Sequence, residues 1–95
     1  MTEKSILVRR YLISGKVQGV GYRYFTKGLA DQLGIVGWVK NLPDGRVETR
    51  AEGTLEQLER YREVLGQGPV GARVDQIEEI ELTDRPGWSR FELAF

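Results

Sequence analysis

The apolar residues of this chain change period repeatedly, and the order of those changes constrains the fold more than any single residue does. Ile6-Leu7-Val8 through Tyr11-Leu12-Ile13 is rich in β-branched and aromatic side chains and ends at Ser14-Gly15. It reads as a strand covered on both faces, because both alternation phases carry apolar residues. Tyr22, Phe25, Leu29 and Leu33 then recur at helical spacing, with Gly34 placed to cap the helix. Segments 35–41 and 46–52 flank Leu42-Pro43-Asp44-Gly45, a turn sequence, and read as a hairpin. Thr54 and Gln57 form a capping box ahead of a second stripe, Leu55, Leu58, Tyr61 and Leu65, which stops at Gly66. Strand character returns from Ala72 to Thr83, where Ile77 falls out of phase with Val74, Ile80 and Leu82 and predicts a bulge or an edge position. Phe91, Leu93 and Phe95 alternate in a short last strand.

The resulting order, βαββαβ plus a terminal strand, predicts an α+β fold: a ferredoxin-like split β-α-β unit with two helices on one face of an antiparallel sheet. At 95 residues, with no repeat or linker, we expect a single domain over 1–95. That topology hosts many unrelated functions, so the site must be argued from residues.

Composition narrows the chemistry. The chain has no cysteine and no histidine, which excludes disulfides, thiolate nucleophiles, imidazole bases and the usual zinc ligands. The net charge is zero, which removes most of the counterion-release term that drives nucleic-acid binding. Yet residues 1–50 carry nine Lys/Arg against four Asp/Glu, and residues 51–95 carry five against ten. A small anion remains a possible ligand of the basic half, although two solvated faces of opposite sign fit the same count. No apolar run approaches a membrane span and no signal peptide is present, so we expect a cytoplasmic protein.

The segment Gly15-Lys16-Val17-Gln18-Gly19-Val20-Gly21 has three glycines in seven positions and reads as a loop between the first strand and the first helix. Glycine lets successive backbone N–H groups converge, and the unpaired amides of a helix start lie behind them. Arg23 in the first turn adds a guanidinium able to fork onto phosphate or carboxylate oxygens. The segment fits neither the dinucleotide G-x-G-x-x-G pattern nor a nucleotide P-loop. From these residues alone, a tight strand-to-helix connection with Arg23 on the surface is the better explanation of the glycines. Asn41, the single asparagine, ends the second strand; its carboxamide both donates and accepts and so can orient a water, although an Asn before a turn is more often a turn residue. Lys16 reads as an added field at the cradle or as a solvated loop lysine. Tyr22, Phe25, Trp38 and Phe91 sit at core spacing rather than as an RNA-stacking platform, and Glu78, Glu79, Glu81 and Asp84 read as edge-strand acids rather than a cation site.

Gly15-Lys16-Val17-Gln18-Gly19-Val20-Gly21-Tyr22-Arg23 and Gly37-Trp38-Val39-Lys40-Asn41-Leu42-Pro43-Asp44-Gly45-Arg46-Val47, with Gly53 beyond them, resemble the two signatures of the acylphosphatases. The resemblance spans essentially the whole chain. It implies hydrolysis of acyl phosphates to a carboxylate and inorganic phosphate, with no metal and no cofactor, by a monomer that needs no nucleic acid or membrane. It implies that Gly15, Lys16, Val17, Gln18, Gly19 and Val20 form the phosphate-binding loop, that Arg23 grips the phosphoryl group and that Asn41 positions the attacking water. Gly21 departs from the bulkier residue often found there. The other readings are a non-catalytic phosphate- or carboxylate-binding module, an RNA-binding module, and a detached domain of a larger carbamoyl-transfer enzyme, which the clean end after the last strand disfavours.

Overall fold

The computed structural model describes residues 5–95; residues 1–4 of the expected domain lie outside the described residues. The elements are β1 (Ile6–Lys16), α1 (Tyr22–Leu33), β2 (Val36–Asn41), β3 (Val47–Thr54), α2 (Leu55–Gln67), β4 (Arg73–Leu82) and β5 (Phe91–Leu93). The sheet order is β4-β1-β3-β2-β5, with both helices packed against one face. This is the βαββαβ arrangement plus a terminal strand that the periodicity predicts.

One correction concerns the sheet. β1 pairs antiparallel with β3 and β4, and β2 with β3, but β5 lies parallel to β2 through Gly37↔Phe91 and Val39↔Leu93, so the sheet is mixed. A second concerns the first strand, which continues through Gly15 and Lys16 instead of ending at Ile13. The ladder with β4 shifts register between Ser14 and Gly15: Ser14 faces Gln76 and Gly15 faces Val74, leaving Asp75 as the extra residue. That irregularity is why Val74 and Ile77 both pack toward the helices, as the broken phase in β4 implies.

Gly15 makes this close pairing possible. Its φ is +131°, and a Cβ there would lie 2.1 Å from the Arg73 carbonyl oxygen. Gly15→Ala is therefore expected to cost about 3 kcal/mol or more, since backbone strain and a backbone clash add. The check is a lower urea midpoint with an unchanged slope.

The helix face of the sheet buries Tyr11, Ile13, Val39, Val47 and Ala51 against Tyr22, Leu29 and Ala30 of α1 and Leu58, Tyr61 and Leu65 of α2. Three tyrosines sit in this core, and two have satisfied hydroxyls: Tyr22 Oη donates to the Leu65 carbonyl at 2.7 Å, and Tyr61 Oη lies 2.6 Å from Thr49 Oγ1. Burial raises both phenols well above their ordinary pKa, so each stays a neutral hydrogen-bonding group. The helix ends match their sequence signals. Thr54 and Gln57 form the reciprocal capping box of α2, and Gly34 caps α1, while α2 runs one residue past Gly66 to Gln67.

Trp38 is not in the core as its spacing suggests. It lies on the opposite, helix-free face of the sheet, half-buried between Lys40 and Arg50, whose charges stand 5.3 and 5.5 Å from its ring. Phe91 and Tyr22 are buried, so they present no stacking surface.

Candidate active site

Residues 17–21 carry the chain from β1 into α1. Val17 is buried and pins the start of the segment. Gln18 holds its middle: its Nε2 donates to the carbonyls of Leu42 at 2.8 Å and Arg46 at 2.9 Å. Those carbonyls close the β2–β3 turn, where Gly45 N–H donates to Leu42 at 3.1 Å and Leu42 N–H to Arg46 at 2.8 Å. The Pro-Asp-Gly turn is itself braced, because the Arg46 N–H and guanidinium hold the Asp44 carboxyl below its usual range. One side-chain amide thus ties the glycine segment to the hairpin that carries Asn41.

The main chain of this segment is left open. None of the backbone N–H groups from Val17 to Tyr24 finds an acceptor among the described residues; the first bond of the helix runs from Phe25 to the Gly21 carbonyl at 3.0 Å. Gly21 is the N-cap, in the left-handed region at φ 76°, and offers no side chain to the orphan amides. A non-glycine residue there costs about 1 kcal/mol or more in backbone strain, which gives Gly21 a physical reason. The contrast with α2 is informative, since that helix has a full capping box and Glu56 in its first turn. α1 has no acid in its first turn and carries Arg23 instead. A helix start bears roughly half a positive charge, so a guanidinium beside uncapped amides is unfavourable until an anion joins them.

Arg23 is half-buried and held from the far edge of the sheet. Its Nη1 donates to the Ala94 carbonyl at 3.0 Å, and its guanidinium carbon lies 4.8 Å from the centre of the Phe95 ring. Ala94 N–H in turn donates to the Val39 carbonyl at 2.8 Å. Ala94 therefore links the first turn of α1 to β2, two residues before Asn41 and on the same strand face as it, about 7 Å along the strand. Asn41 pairs with Val47 at the end of β2, and its carboxamide makes no hydrogen bond among the described residues. Arg23 keeps most of its donors free and Asn41 keeps its whole amide.

The ion pairs explain what the charge asymmetry leaves over. Arg9 pairs with Glu79 and Glu81, Arg10 and Arg50 with Glu48, Lys27 with Asp31, and Arg46 with Asp44. Among the described residues before position 51, only Lys16, Arg23 and Lys40 lack a carboxylate partner. No cluster of three or more acidic residues among the described residues could hold a metal ion.

The predicted site residues separate into two groups. Val17, Gln18, Gly19, Val20, Arg23 and Asn41 gather at one end of the sheet. Gly15 and Lys16 instead pair with Val74 and Arg73 in the β1–β4 ladder, with the Lys16 side chain exposed. Sequence reasoning missed the clamp by the Gln18 side chain and the support of Arg23 by Ala94 and Phe95. Gln18→Ala is expected to weaken inhibition by inorganic phosphate about 10-fold, within the roughly 10²-fold that a 1 Å misplacement costs, while lowering stability by only about 1 kcal/mol. Phosphate inhibition and urea unfolding of the same variant test both halves.

Fold and site together define a small α+β domain whose open amides, guanidinium and free carboxamide lie toward one end of the sheet. The sequence model of the acylphosphatase family matches residues 9–93, and the chain belongs to that family. It is 54% identical over 82 residues to the acylphosphatase of Thermus thermophilus, covering 86% of this chain and 92% of that one. It is 53% identical over 74 residues to that of Acaryochloris marina, covering 78% and 80%. The crystal structure of the Bacillus subtilis acylphosphatase superposes with a TM-score of 0.92 at 39% identity, over 94% of this chain and 99% of that one. The chain is accordingly a hydrolase of acyl phosphates, releasing a carboxylate and inorganic phosphate.

Proposed function

We propose that the amides of residues 17–21 and the first turn of α1, with the Arg23 guanidinium, hold the phosphoryl group, and that the Asn41 carboxamide orients the water that attacks it. The uncapped start of α1 beside Arg23 carries this reading, because it is a pre-aligned set of donors with no acceptor of its own. The water oxygen bonds to phosphorus, the bridging P–O bond breaks with its electron pair leaving on the carboxylate, and the water proton ends on the phosphate.

Little else is needed for this reaction. A carboxylate leaves as a weak base, with a pKa of about 4, so acid assistance adds little. What remains is charge on the equatorial phosphoryl oxygens and the entropy of placing a water in line, and fixed dipoles with one guanidinium supply both. With no histidine in the chain, no side chain of ordinary pKa changes charge between pH 5 and 8. No carboxylate belongs to the proposed set of groups, so the water is activated by its position or by the substrate's own phosphoryl oxygens.

We further propose that residues 1–95 act as one unit, a cytoplasmic monomer that uses neither metal nor cofactor and binds no nucleic acid. No helix among the described residues is long and apolar enough to cross a membrane. The test is hydrolysis of acetyl or benzoyl phosphate by the purified protein. Acceleration that persists undiminished in EDTA is the expected result; loss of activity in EDTA would overturn the metal-free mechanism.

A further inference from the structure

We propose that Val20 and Val70 form the subsite for the acyl end of the substrate, and that it takes an apolar acyl group. This rests on the roles assigned above to Arg23 and Asn41, because those roles fix the direction of the reaction. In-line displacement at phosphorus puts the attacking and leaving oxygens on opposite sides. Asn41 ends β2, and in the order β4-β1-β3-β2 it stands three strand spacings, about 14 Å, from β4. The phosphoryl cradle opens from β1, between them. With water at Asn41, the leaving carboxylate faces the β4 flank.

The connection into β4 occupies that flank. A Cβ on Gly71 would lie 4.0 Å from Val20 Cγ1, and one on Gly68 would lie 3.4 Å from the Tyr22 ring, so the segment from Gly68 to Gly71 rests against the cradle. Its tip presents Val70 with 100% of its surface exposed, one residue before the Gly71 that faces the half-buried Val20. Neither the 66–72 segment nor residues 17–22 contains a charged side chain. An exposed valine alone needs no explanation. Here, however, its segment lies against a second valine, Val20, on the side where in-line geometry sends the acyl group.

Val70 makes a clean probe because it packs on nothing and its replacement leaves folding intact. We expect Val70→Ser to lower kcat/KM for benzoyl phosphate by about 3- to 10-fold while leaving acetyl phosphate within about twofold, as expected for lost apolar contact. Val70→Phe should raise the benzoyl-to-acetyl ratio, and neither change should move inhibition by inorganic phosphate. Equal changes for both substrates, or no change for either, would overturn the assignment of the acyl subsite. Failure of the unaltered protein to hydrolyse either compound would instead overturn the phosphoryl-transfer reading on which the proposal stands.

Discussion

Arg23→Ala is expected to lower kcat/KM for acetyl phosphate by at least about 10²-fold and to weaken inhibition by inorganic phosphate in parallel, as for loss of a transition-state donor. Both effects follow from the proposed role, in which the guanidinium faces a group that is anionic before, during and after the reaction. Stability should change far less. Arg23 makes one hydrogen bond to the Ala94 carbonyl and one ring contact with the exposed Phe95, together about 1 kcal/mol by the usual worth of such contacts. An unfolding midpoint close to that of the unaltered protein, measured beside the rate, separates chemistry from folding. Arg23→Lys sharpens the test, since an ammonium keeps the charge but cannot grip Ala94 and fork onto two phosphoryl oxygens at once. It should retain much of the phosphate inhibition and little of the rate. Undiminished phosphate binding by Arg23→Ala would show that the amides alone hold the anion.

The legible parts of this molecule were those whose signal is local. Gly34, the Thr54–Gln57 box and the Pro43-Asp44-Gly45 turn each encode a conformation within four residues, and each stands where the pattern places it. Gly15 misleads because a glycine between a strand and a glycine-rich run reads as a break. Its actual role is to admit the Arg73 carbonyl where a Cβ cannot go, which only the pairing with β4 defines. Trp38 misleads for a related reason. Val36, Trp38 and Val39 put apolar side chains in both phases of β2, so the face that is buried is decided by register with β3, where Trp38 meets Arg50.

The site follows the same division. Arg23 and the open amides are written into one short segment, whereas the groups that hold them are far away in sequence. Gln18 reaches carbonyls 24 and 28 residues on, and Arg23 reaches one 71 residues on. The residue after β5 supplies that last carbonyl because β5 enters parallel to β2, and nothing in Phe91-Glu92-Leu93 announces the direction. The candidate groups were visible, and their scaffolding was not.

Asn41→Ala should produce the opposite signature to Arg23→Ala: a fall in kcat of at least about 10²-fold with inhibition by inorganic phosphate nearly kept. The distinction follows from what Asn41 touches. Its carboxamide has no protein partner among the described residues, so removing it strands no buried group and should leave stability within about 0.5 kcal/mol. A water that loses its orienting donor and acceptor is still present, but it spends little time in line with the breaking bond, and the loss falls on kcat. Asn41→Asp is the informative companion. It keeps the shape and the acceptor but brings a carboxylate toward a dianion, so phosphate affinity should fall along with rate, and the fall should shrink as salt screens the repulsion. If Asn41→Ala instead abolished phosphate binding while saturating substrate turned over normally, the carboxamide would be a ligand of the phosphoryl group and the water would be held elsewhere. The free backbone amides at the start of α1 would then be the first place to look for it.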